Sequence, residues 1–148
     1  SADLTYQVFG GVYDFKVAKV GLHHSTYKNE VTTGKGAANV PYADANGANN
    51  TGATYTGVTG TKLEASANSV STAIPLSAAL VLNAAYTDGK IEQNGADLYD
   101  TKGADLGLVY SLSKRTNVYA QYGMTEFKPT TGDKTKQIQY AVGVRHSF

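Results

Sequence analysis

Apolar and polar side chains alternate one by one over residues 137–148. Even positions from Ile138 to Phe148 carry apolar or ring-bearing side chains, whereas odd positions from Gln137 to Ser147 carry polar or small ones. A β-strand directs alternate side chains to opposite faces, so the pattern predicts a strand with one apolar face. Twelve residues give about 40 Å of strand, which a tilt of about 40° reduces to roughly 30 Å of height. Such a strand is long enough to cross the hydrocarbon layer of a bilayer.

The same alternation recurs in six earlier segments and predicts six further strands. The seven predicted strands cover about residues 4–15, 18–27, 62–74, 78–86, 103–112, 117–125 and 137–148. The apolar period is 2 rather than 3.6, and Tyr, Val and Thr favour strands, so the pattern excludes a helical fold. The segment 62–74 gives the weakest signal, because small residues dominate its apolar face. That composition suits a subunit interface better than a lipid-facing wall.

The predicted connections fall into two alternating classes. Those near 16–17, 75–77 and 113–115 are short, whereas 28–61, 87–101 and 128–136 are long, polar or rich in Gly and Asn. Short turns on one side and long loops on the other are the layout of an outer-membrane β-barrel, with the short turns in the periplasm. Residues 55–58 either extend the strand that follows them or form a strand within the long loop.

Composition narrows the class of protein further. The chain has 148 residues with 16 Gly, 11 Tyr, no Trp and no Cys. Tyrosine suits the boundary between hydrocarbon and water, which agrees with a membrane barrel. A formal net charge of +1 is too small to indicate a nucleic-acid partner. The absence of cysteine excludes a disulfide framework and a thiolate metal site.

No catalytic or metal-binding pattern stands out in the sequence. Phosphate-cradling glycine motifs, a Gly-x-Ser-x-Gly elbow and a His-Glu-x-x-His motif are all missing. His23 and His24 are neighbours on a predicted strand, so they point to opposite faces and cannot share a metal. Asp97, Asp100 and Asp105 lack the spacing of a calcium loop. The sequence therefore predicts neither enzymatic activity nor a metal or cofactor.

Three segments resemble one known family. Residues 112–122 resemble the penultimate hairpin of the betaproteobacterial general porins, residues 141–148 resemble their terminal strand, and residues 6–21 resemble an earlier hairpin. Members of that family are homotrimers of sixteen-stranded outer-membrane barrels, each with a pore narrowed by an inward-folded loop. The resemblance implies a passive diffusion channel for small hydrophilic solutes and ions, often favouring anions. Its expected partners are outer-membrane lipid, two further copies of the chain and the permeating solutes.

The resemblance also implies a role for the terminal strand. In the family this strand is the signal that the outer-membrane barrel assembly machinery reads. The residues at the matching positions are Tyr140, Val142, Val144, His146 and Phe148.

Charged and amide side chains in phase with the polar face are predicted to line the pore. A charge facing lipid costs roughly 2–4 kcal/mol near the midplane, so the phase argues that these residues face inward. The predicted pore-lining residues are Lys19, Lys62, Glu64, Asn68, Asp105, Gln121, Gln139 and Arg145. Lys19 and Arg145 would raise the local concentration of anions in a narrow pore. The alternative is that a water-exposed wall accommodates these charges without any effect on permeation. Tyrosines in phase with the apolar face are predicted outward anchors, namely Tyr6, Tyr86, Tyr110, Tyr122 and Tyr140.

Seven strands cannot close a bacterial single-chain barrel, which has an even number of at least eight. The expectation is therefore an all-β antiparallel transmembrane barrel of which residues 1–148 form the C-terminal portion, about seven of sixteen strands. The alternative is a complete eight-stranded barrel with a structural or adhesion role, in which 55–58 supply the missing strand. A narrow barrel needs bulky inward residues, whereas the inward faces here are rich in Gly, Ala, Ser and Asn. A soluble barrel that binds a small ligand would have apolar residues on its inward face and polar residues on its outward face.

Overall fold

The computed structural model consists of β-strands joined by short connections. It describes the backbone of residues 2–32, 35–43 and 49–148, and the side chains of residues 3–32 and 59–148. The strands are β1 (Ala2–Asp14), β2 (Lys19–Val31), β3 (Lys35–Ala43), β4 (Asn49–Val58), β5 (Lys62–Pro75), β6 (Leu80–Gln93), β7 (Ala96–Ser111), β8 (Thr116–Pro129) and β9 (Thr135–His146). Within the described residues no helix is long and apolar enough to cross a membrane.

Seven of the strands form one antiparallel sheet in the order β1-β2-β5-β6-β7-β8-β9. Each strand pairs with its neighbours in a continuous antiparallel register, and β1 and β9 are the two edges of the sheet. Strands β3 and β4 pair with each other as a separate hairpin between β2 and β5. The prediction of seven antiparallel strands in a meander is confirmed.

The connections at one end of the sheet are four-residue turns, and two of them share one design. In the β5–β6 turn the Leu76 amide donates to the Leu80 carbonyl at 2.8 Å, and the Leu80 amide donates to the Ser77 hydroxyl at 3.1 Å. In the β7–β8 turn Leu112 and Ser113 make the same two bonds with Thr116, at 2.9 and 3.1 Å. The serine hydroxyl satisfies an amide that a short turn would otherwise leave unpaired. The end of the sheet with these four-residue turns is called the turn end below. The opposite end, where the sequence predicts the long connections, is called the loop end.

The loop end differs from the sequence prediction. Residues 87–101 are not a loop, because β6 continues to Gln93 and β7 begins at Ala96. Only Asn94 and Gly95 connect the two strands, with φ angles of 50° and 79°. Positive φ at both central residues is the type I′ combination that Asn-Gly favours in two-residue hairpins. The predicted loop 28–61 is likewise shortened, since β2 runs to Val31 and the β3–β4 hairpin lies within it.

Near the turn end the two faces of the sheet have opposite character. The cross-strand pairs align the apolar residues of all seven strands on one face, here called the apolar face. Tyr140 and Val142 on that face are 86% and 82% exposed, so the protein itself does not cover them. The apolar face includes Tyr13, Leu22, Val70, Leu82, Tyr86, Leu106, Leu108, Tyr110, Val118, Tyr122, Ile138, Tyr140, Val142 and Val144. The opposite face carries mostly small and polar residues, with Val12, Val81, Val109 and Tyr119 among them, and is called the polar face.

Towards the loop end this polarity reverses on the same strands. The continuation of the apolar face carries a charged belt of Lys28, Glu30, Lys62, Glu64, Asp88, Lys90, Glu92, Asp97, Asp100, Lys102, Glu126, Lys128 and Lys136. The continuation of the polar face carries a small core, in which Leu63 and Ile91 are each 3% exposed and Tyr27, Tyr99 and Phe127 pack around them. The two faces of the sheet therefore exchange their character between the turn end and the loop end.

Strand β1 differs from the sequence prediction in its phase. Its register with β2 places Phe9 and Tyr13 on the apolar face, and Leu4, Tyr6 and Val8 on the opposite one. Apolar residues occupy both faces of this strand, so alternation alone does not fix which face is which. The prediction that Tyr6 is an outward anchor is wrong, because its direct partner on β2 is Tyr27 of the loop-end core.

Candidate pore wall

The polar face near the turn end forms a wall of short side chains. Two adjacent rows run across the sheet from β2 to β9, and each row follows direct cross-strand partners. The rows are Lys19-Ala73-Asn83-Gly107-Gln121-Ala141 and Gly21-Ser71-Ala85-Asp105-Gly123-Gln139. Because most of these side chains have at most two heavy atoms beyond Cβ, the wall leaves the space in front of it open.

A concave volume of about 450 Å³ lies on this wall and is lined by residues of both rows. At its floor a Cβ added to Gly21 would lie 2.7 Å from the Ser71 hydroxyl oxygen, so a side chain there would displace Ser71. The carboxylate oxygens of Asp105 are buried in the same region. Hydroxyl, amide and carboxylate groups from Ser71, Asn83, Gln121 and Asp105 thus meet at one place on the wall.

Charges on the polar face are few and widely spaced. Lys19 Nζ lies 3.7 Å from Asp14 Oδ2 at the edge of the wall, and both side chains are more than half exposed. Such a pair contributes little to stability because solvent screens it. Arg145 lies on the same face nearer the turn end, opposite Asn117 of β8. Among these polar-face charges, Lys19 is thus paired with Asp14, and Asp105 is the one carboxylate of the two wall rows.

Five of the eight predicted pore-lining residues lie on this face, namely Lys19, Asp105, Gln121, Gln139 and Arg145. The other three, Lys62, Glu64 and Asn68, lie on the opposite face at the loop end. The prediction that all eight share one lumen is wrong. The error arises because the polarity reverses along β5. Lys62, Glu64 and Asn68 lie on the same face of this strand as Val70 and Ile74.

Lys62 and Glu64 have ion-pair partners within the charged belt, and Asn68 contacts a histidine on the same face. Lys62 Nζ lies 3.4 Å from Glu30 Oε2, and Glu64 Oε1 lies 2.8 Å from Lys28 Nζ. Asn68 Oδ1 lies 2.7 Å from His24 Nδ1. These contacts tie β5 to β2 along the outer surface.

Three groups of the belt have pKa values shifted by a partner of opposite charge. The hydrogen bond with Glu64, reinforced by its charge, raises the pKa of Lys28 above 10.5. Lys90 Nζ lies 2.8 Å from Asp97 Oδ1. This hydrogen bond raises the pKa of Lys90 and lowers the pKa of the Asp97 carboxyl below 3.8. Both pairs join neighbouring strands of the sheet.

The sequence interpretation missed three residues of the wall. Ser71 and Asn83 line the concave volume, and Tyr119 lies on the same face nearer the turn end. A signal for Asn83 was available, because it alternates with Leu82 and Ala84 in the phase of the polar face. The alternation also places Tyr119 on the polar face, because it is in phase with Asn117 and Gln121 and out of phase with Val118.

The five residues of the expected assembly signal lie on one side of the edge strand β9 and just beyond it. Tyr140, Val142, Val144 and His146 belong to the apolar face. His146 Nδ1 lies 2.8 Å from Thr116 Oγ1, and its ring meets the Phe148 ring edge to face with centroids 5.0 Å apart. The last aromatic residue is thus tied to the end of the apolar face.

In the part of the chain that the structure describes, no group of three or more His, Cys, Asp or Glu residues could hold a metal ion. Comparisons with protein-family models and with curated protein sequences find no match. A solved structure, the outer-membrane expressed OmpT of Vibrio cholerae, matches 99% of this chain with a TM-score of 0.69 and 16% sequence identity. The chain has the fold of an outer-membrane β-barrel. It spans 41% of the length of that structure.

This fold gives the two faces their meaning. In an outer-membrane barrel the outward face of each strand contacts lipid at bilayer depth, and the inward face surrounds the interior. The exposed apolar face corresponds to the outward side of such a fold, and the polar face with Asp105, Gln121 and Arg145 corresponds to its inward side.

Proposed function

We propose that the chain forms part of a water-filled outer-membrane channel through which small hydrophilic solutes and ions diffuse passively. The observation that carries the proposal is the interior wall at bilayer depth, which is made of Gly, Ala, Ser, Asn and Gln side chains around an open concave volume. Such short side chains would leave a large barrel hollow. The proposal assigns the chain transport rather than catalysis.

We further propose that the complete barrel is of the sixteen-stranded betaproteobacterial general porin type, with these seven strands as its C-terminal portion. Strands β1 and β9 each have one hydrogen-bonded neighbour in the described sheet. Unpaired edges are not stable in hydrocarbon, so additional strands must complete the barrel. The match to 41% of a longer outer-membrane chain supports the same interpretation.

The eight-stranded alternative has less support. It requires residues 55–58 to supply an eighth strand, yet these residues pair with β3 in the separate hairpin. A narrow barrel also fills its interior with side chains, and the wall residues Ala85, Gly107 and Gly123 are too small to do so.

The proposed partners follow from the lipid-facing side. The apolar face is the surface proposed for outer-membrane lipid and for two further copies of the chain in a homotrimer. The prediction that small residues make β5 a subunit contact is wrong for that face, because Ala65 and Ala73 lie on the opposite side of the sheet, where Ala65 packs against the loop-end core and Ala73 pairs with Lys19. Tyr140, Val142, Val144, His146 and Phe148 are proposed as the signal for the barrel assembly machinery. Lys19 and Arg145 on the wall support a preference for anions.

Two adjacent alanines of β6 provide a matched test of the channel. Ala85 belongs to the wall row with Asp105, whereas Ala84 pairs with Leu106 on the apolar face. Ala85→Tyr should place a ring in the lumen and lower the single-channel conductance of the full protein purified from its native membrane. Ala84→Tyr adds the same ring on the lipid side and should leave the conductance unchanged.

The measurement is single-channel current in a planar bilayer, with the intact mass of the purified protein determined beforehand. Equal conductance of both variants and the parent would contradict the assignment of the polar face to the lumen. An absence of any channel from correctly folded protein would refute the proposed function itself.

A further inference from the structure

Charged side chains are distributed unequally between the two ends of the sheet. At the turn end five cationic side chains face one carboxylate, Asp14. These five, here called the cationic rim, are Lys16, Lys19, Lys114, Arg115 and Arg145. At the loop end lysines and acidic residues are interspersed across neighbouring strands, and several of them form ion pairs of 2.8 to 3.4 Å. Net positive charge is therefore concentrated at one mouth of the barrel.

Two arginines of the rim lie close together, Arg145 on the polar face of β9 and Arg115 in the turn directly before β8. Asn117 is the direct partner of Arg145, and the Ser147 amide donates to the Arg115 carbonyl at 2.8 Å. Their backbones are thus diagonal neighbours across the β8–β9 pair, a relation that separates Cα atoms by about 7–8 Å. No Asp or Glu occurs in residues 106–125 or 134–148, the segments that carry both arginines.

The single carboxylate of the two wall rows is too far from the two arginines to cancel their charge. Asp105 is level with Gly123, six residues along β8 from Asn117, which is the level of Arg145. Six residues of strand measure about 20 Å. That separation exceeds the Debye length of about 8 Å at physiological ionic strength. The two arginines therefore attract small anions independently of Asp105, whereas Lys19 is paired with Asp14 and lines the same concave volume as Asp105.

We propose that the cationic rim captures small anions at the turn-end mouth and makes conduction through the channel directional. This inference rests on the proposed function and adds a polarity to it. At one sign of the applied voltage, anions enter the channel from the turn end, where the cationic rim raises their local concentration. At the opposite sign they enter from the loop end, where charges of both signs leave the local anion concentration unchanged. Current should consequently be larger for one sign of voltage.

Salt dependence separates this mechanism from a rigid asymmetry in pore shape. The Debye length is about 30 Å at 0.01 M ionic strength and about 3 Å at 1 M. Rectification caused by the rim should be strong in 10 mM potassium chloride and vanish in 1 M, whereas a shape effect should persist.

The test uses the full protein inserted from one side of a planar bilayer, so that its orientation is fixed. The double variant Arg115→Gln/Arg145→Gln removes two charges of the rim and should lose most of the rectification at 10 mM salt. The control Lys102→Gln/Lys128→Gln removes the same amount of charge from the belt at the loop end. This variant should keep the rectification at 10 mM salt. Far-UV circular dichroism and the mobility shift on heating confirm that each variant is folded.

Each outcome bears on the inference. Symmetric currents in the unmodified protein at low salt would overturn it while leaving the channel intact, and so would equal loss of rectification in rim and control variants. If the rim variant fails to fold, the salt dependence of rectification in the unmodified protein still decides. An absence of any conductance would refute the channel and this inference together.

Discussion

The ring of Tyr119 on β8 lies over Gly143 on β9, its direct cross-strand partner. A Cβ added to Gly143 would lie 2.5 Å from the Tyr119 hydroxyl oxygen, 2.6 Å from Cζ and 2.9 Å from Cε1. The ring thus fills the position of the side chain that glycine lacks. It also covers the backbone of the edge strand on the interior side.

Replacing Gly143 with alanine should destabilise the barrel, because the tyrosine ring must move off its neighbour. Overpacking of this kind costs about 1–3 kcal/mol. The matched control is Gly107→Ala on the same face, where an added Cβ would meet its nearest atom, Gln121 Cγ, at an ordinary 3.7 Å. Thermal unfolding in detergent, followed by circular dichroism, should show a lower midpoint for Gly143→Ala than for Gly107→Ala. Identical midpoints would contradict the packing role of Tyr119.

The Asn94-Gly95 turn should be sensitive to substitution at Gly95. Its φ of 79° is costly for residues with a Cβ, by about 1–3 kcal/mol. Gly95→Val should loosen the β6–β7 hairpin and accelerate hydrogen exchange of amides near Gln93 and Ala96. Gly11→Val serves as the control, because a Cβ added at Gly11 would meet no atom within 4 Å and the φ of Gly11 is not positive. Unchanged exchange in Gly95→Val would mean that the turn is not the conformation adopted in the membrane.

The Lys90–Asp97 pair should stabilise the same hairpin over a wide pH range. The lowered pKa of Asp97 means that its contribution is present above pH 3.8 and is lost as pH falls through the shifted value. The raised pKa of Lys90 means that its contribution is present below pH 10.5 and is lost as pH rises through the shifted value. Protection of the hairpin amides from exchange should therefore be level between these limits.

Asp97→Asn should remove the stabilisation that the Lys90–Asp97 pair gives the hairpin between these pH limits, so the hairpin amides should exchange faster there. Because both groups are exposed to solvent, the effect on exchange should be small and should disappear in 1 M salt. Asp133→Asn, in the β8–β9 connection, removes an equal charge away from the pair and should leave exchange at the hairpin unchanged. A salt-independent loss of protection would argue against an electrostatic origin.

Asp105 is expected to limit the preference of the channel for anions. Its carboxylate lies on the wall beside Gln121, at the depth of the concave volume. Asp105→Asn removes the one negative charge of the two wall rows and should shift the reversal potential in a salt gradient towards that of chloride. Asp88→Asn, on the charged belt of the outer face, is the control and should not shift it. A shift of equal size in both variants would mean that the effect is a general surface-charge effect.

Alternation identified the strands and the lipid-facing side of β9, but it could not follow a face whose polarity changes along its length. On β5 the parity of Val70 continues into Asn68, Glu64 and Lys62, so the charged residues resembled a polar interior. Only the cross-strand partners Lys28 and His24 show that these residues lie on the outer surface. The necessary information is the pairing register, which a single strand does not contain.

The missed hairpin has a different cause. Residues 87–101 are mostly polar, and a polar run of this length predicts a loop. Lys90, Glu92 and Asp97 instead lie on strands β6 and β7, where Lys90 forms ion pairs with Glu92 on its own strand and with Asp97 across the hairpin. The dipeptide Asn94-Gly95 was the available signal, since it favours a two-residue hairpin turn wherever it joins two strands.

The boundary between the apolar face and the charged belt fixes the depth of each strand separately. A slip of one strand by two residues would keep both faces correct and would move the strand by about 7 Å. If the apolar face contacts lipid, such a slip in β7 towards the turn end would carry Lys102 into the hydrocarbon, at a cost that grows from about 0–1 kcal/mol near the interface to about 2–4 kcal/mol at the midplane. The opposite slip would bring apolar residues such as Ala104 into the water. The boundary thus gives every strand its own energetic preference for one vertical position in the sheet.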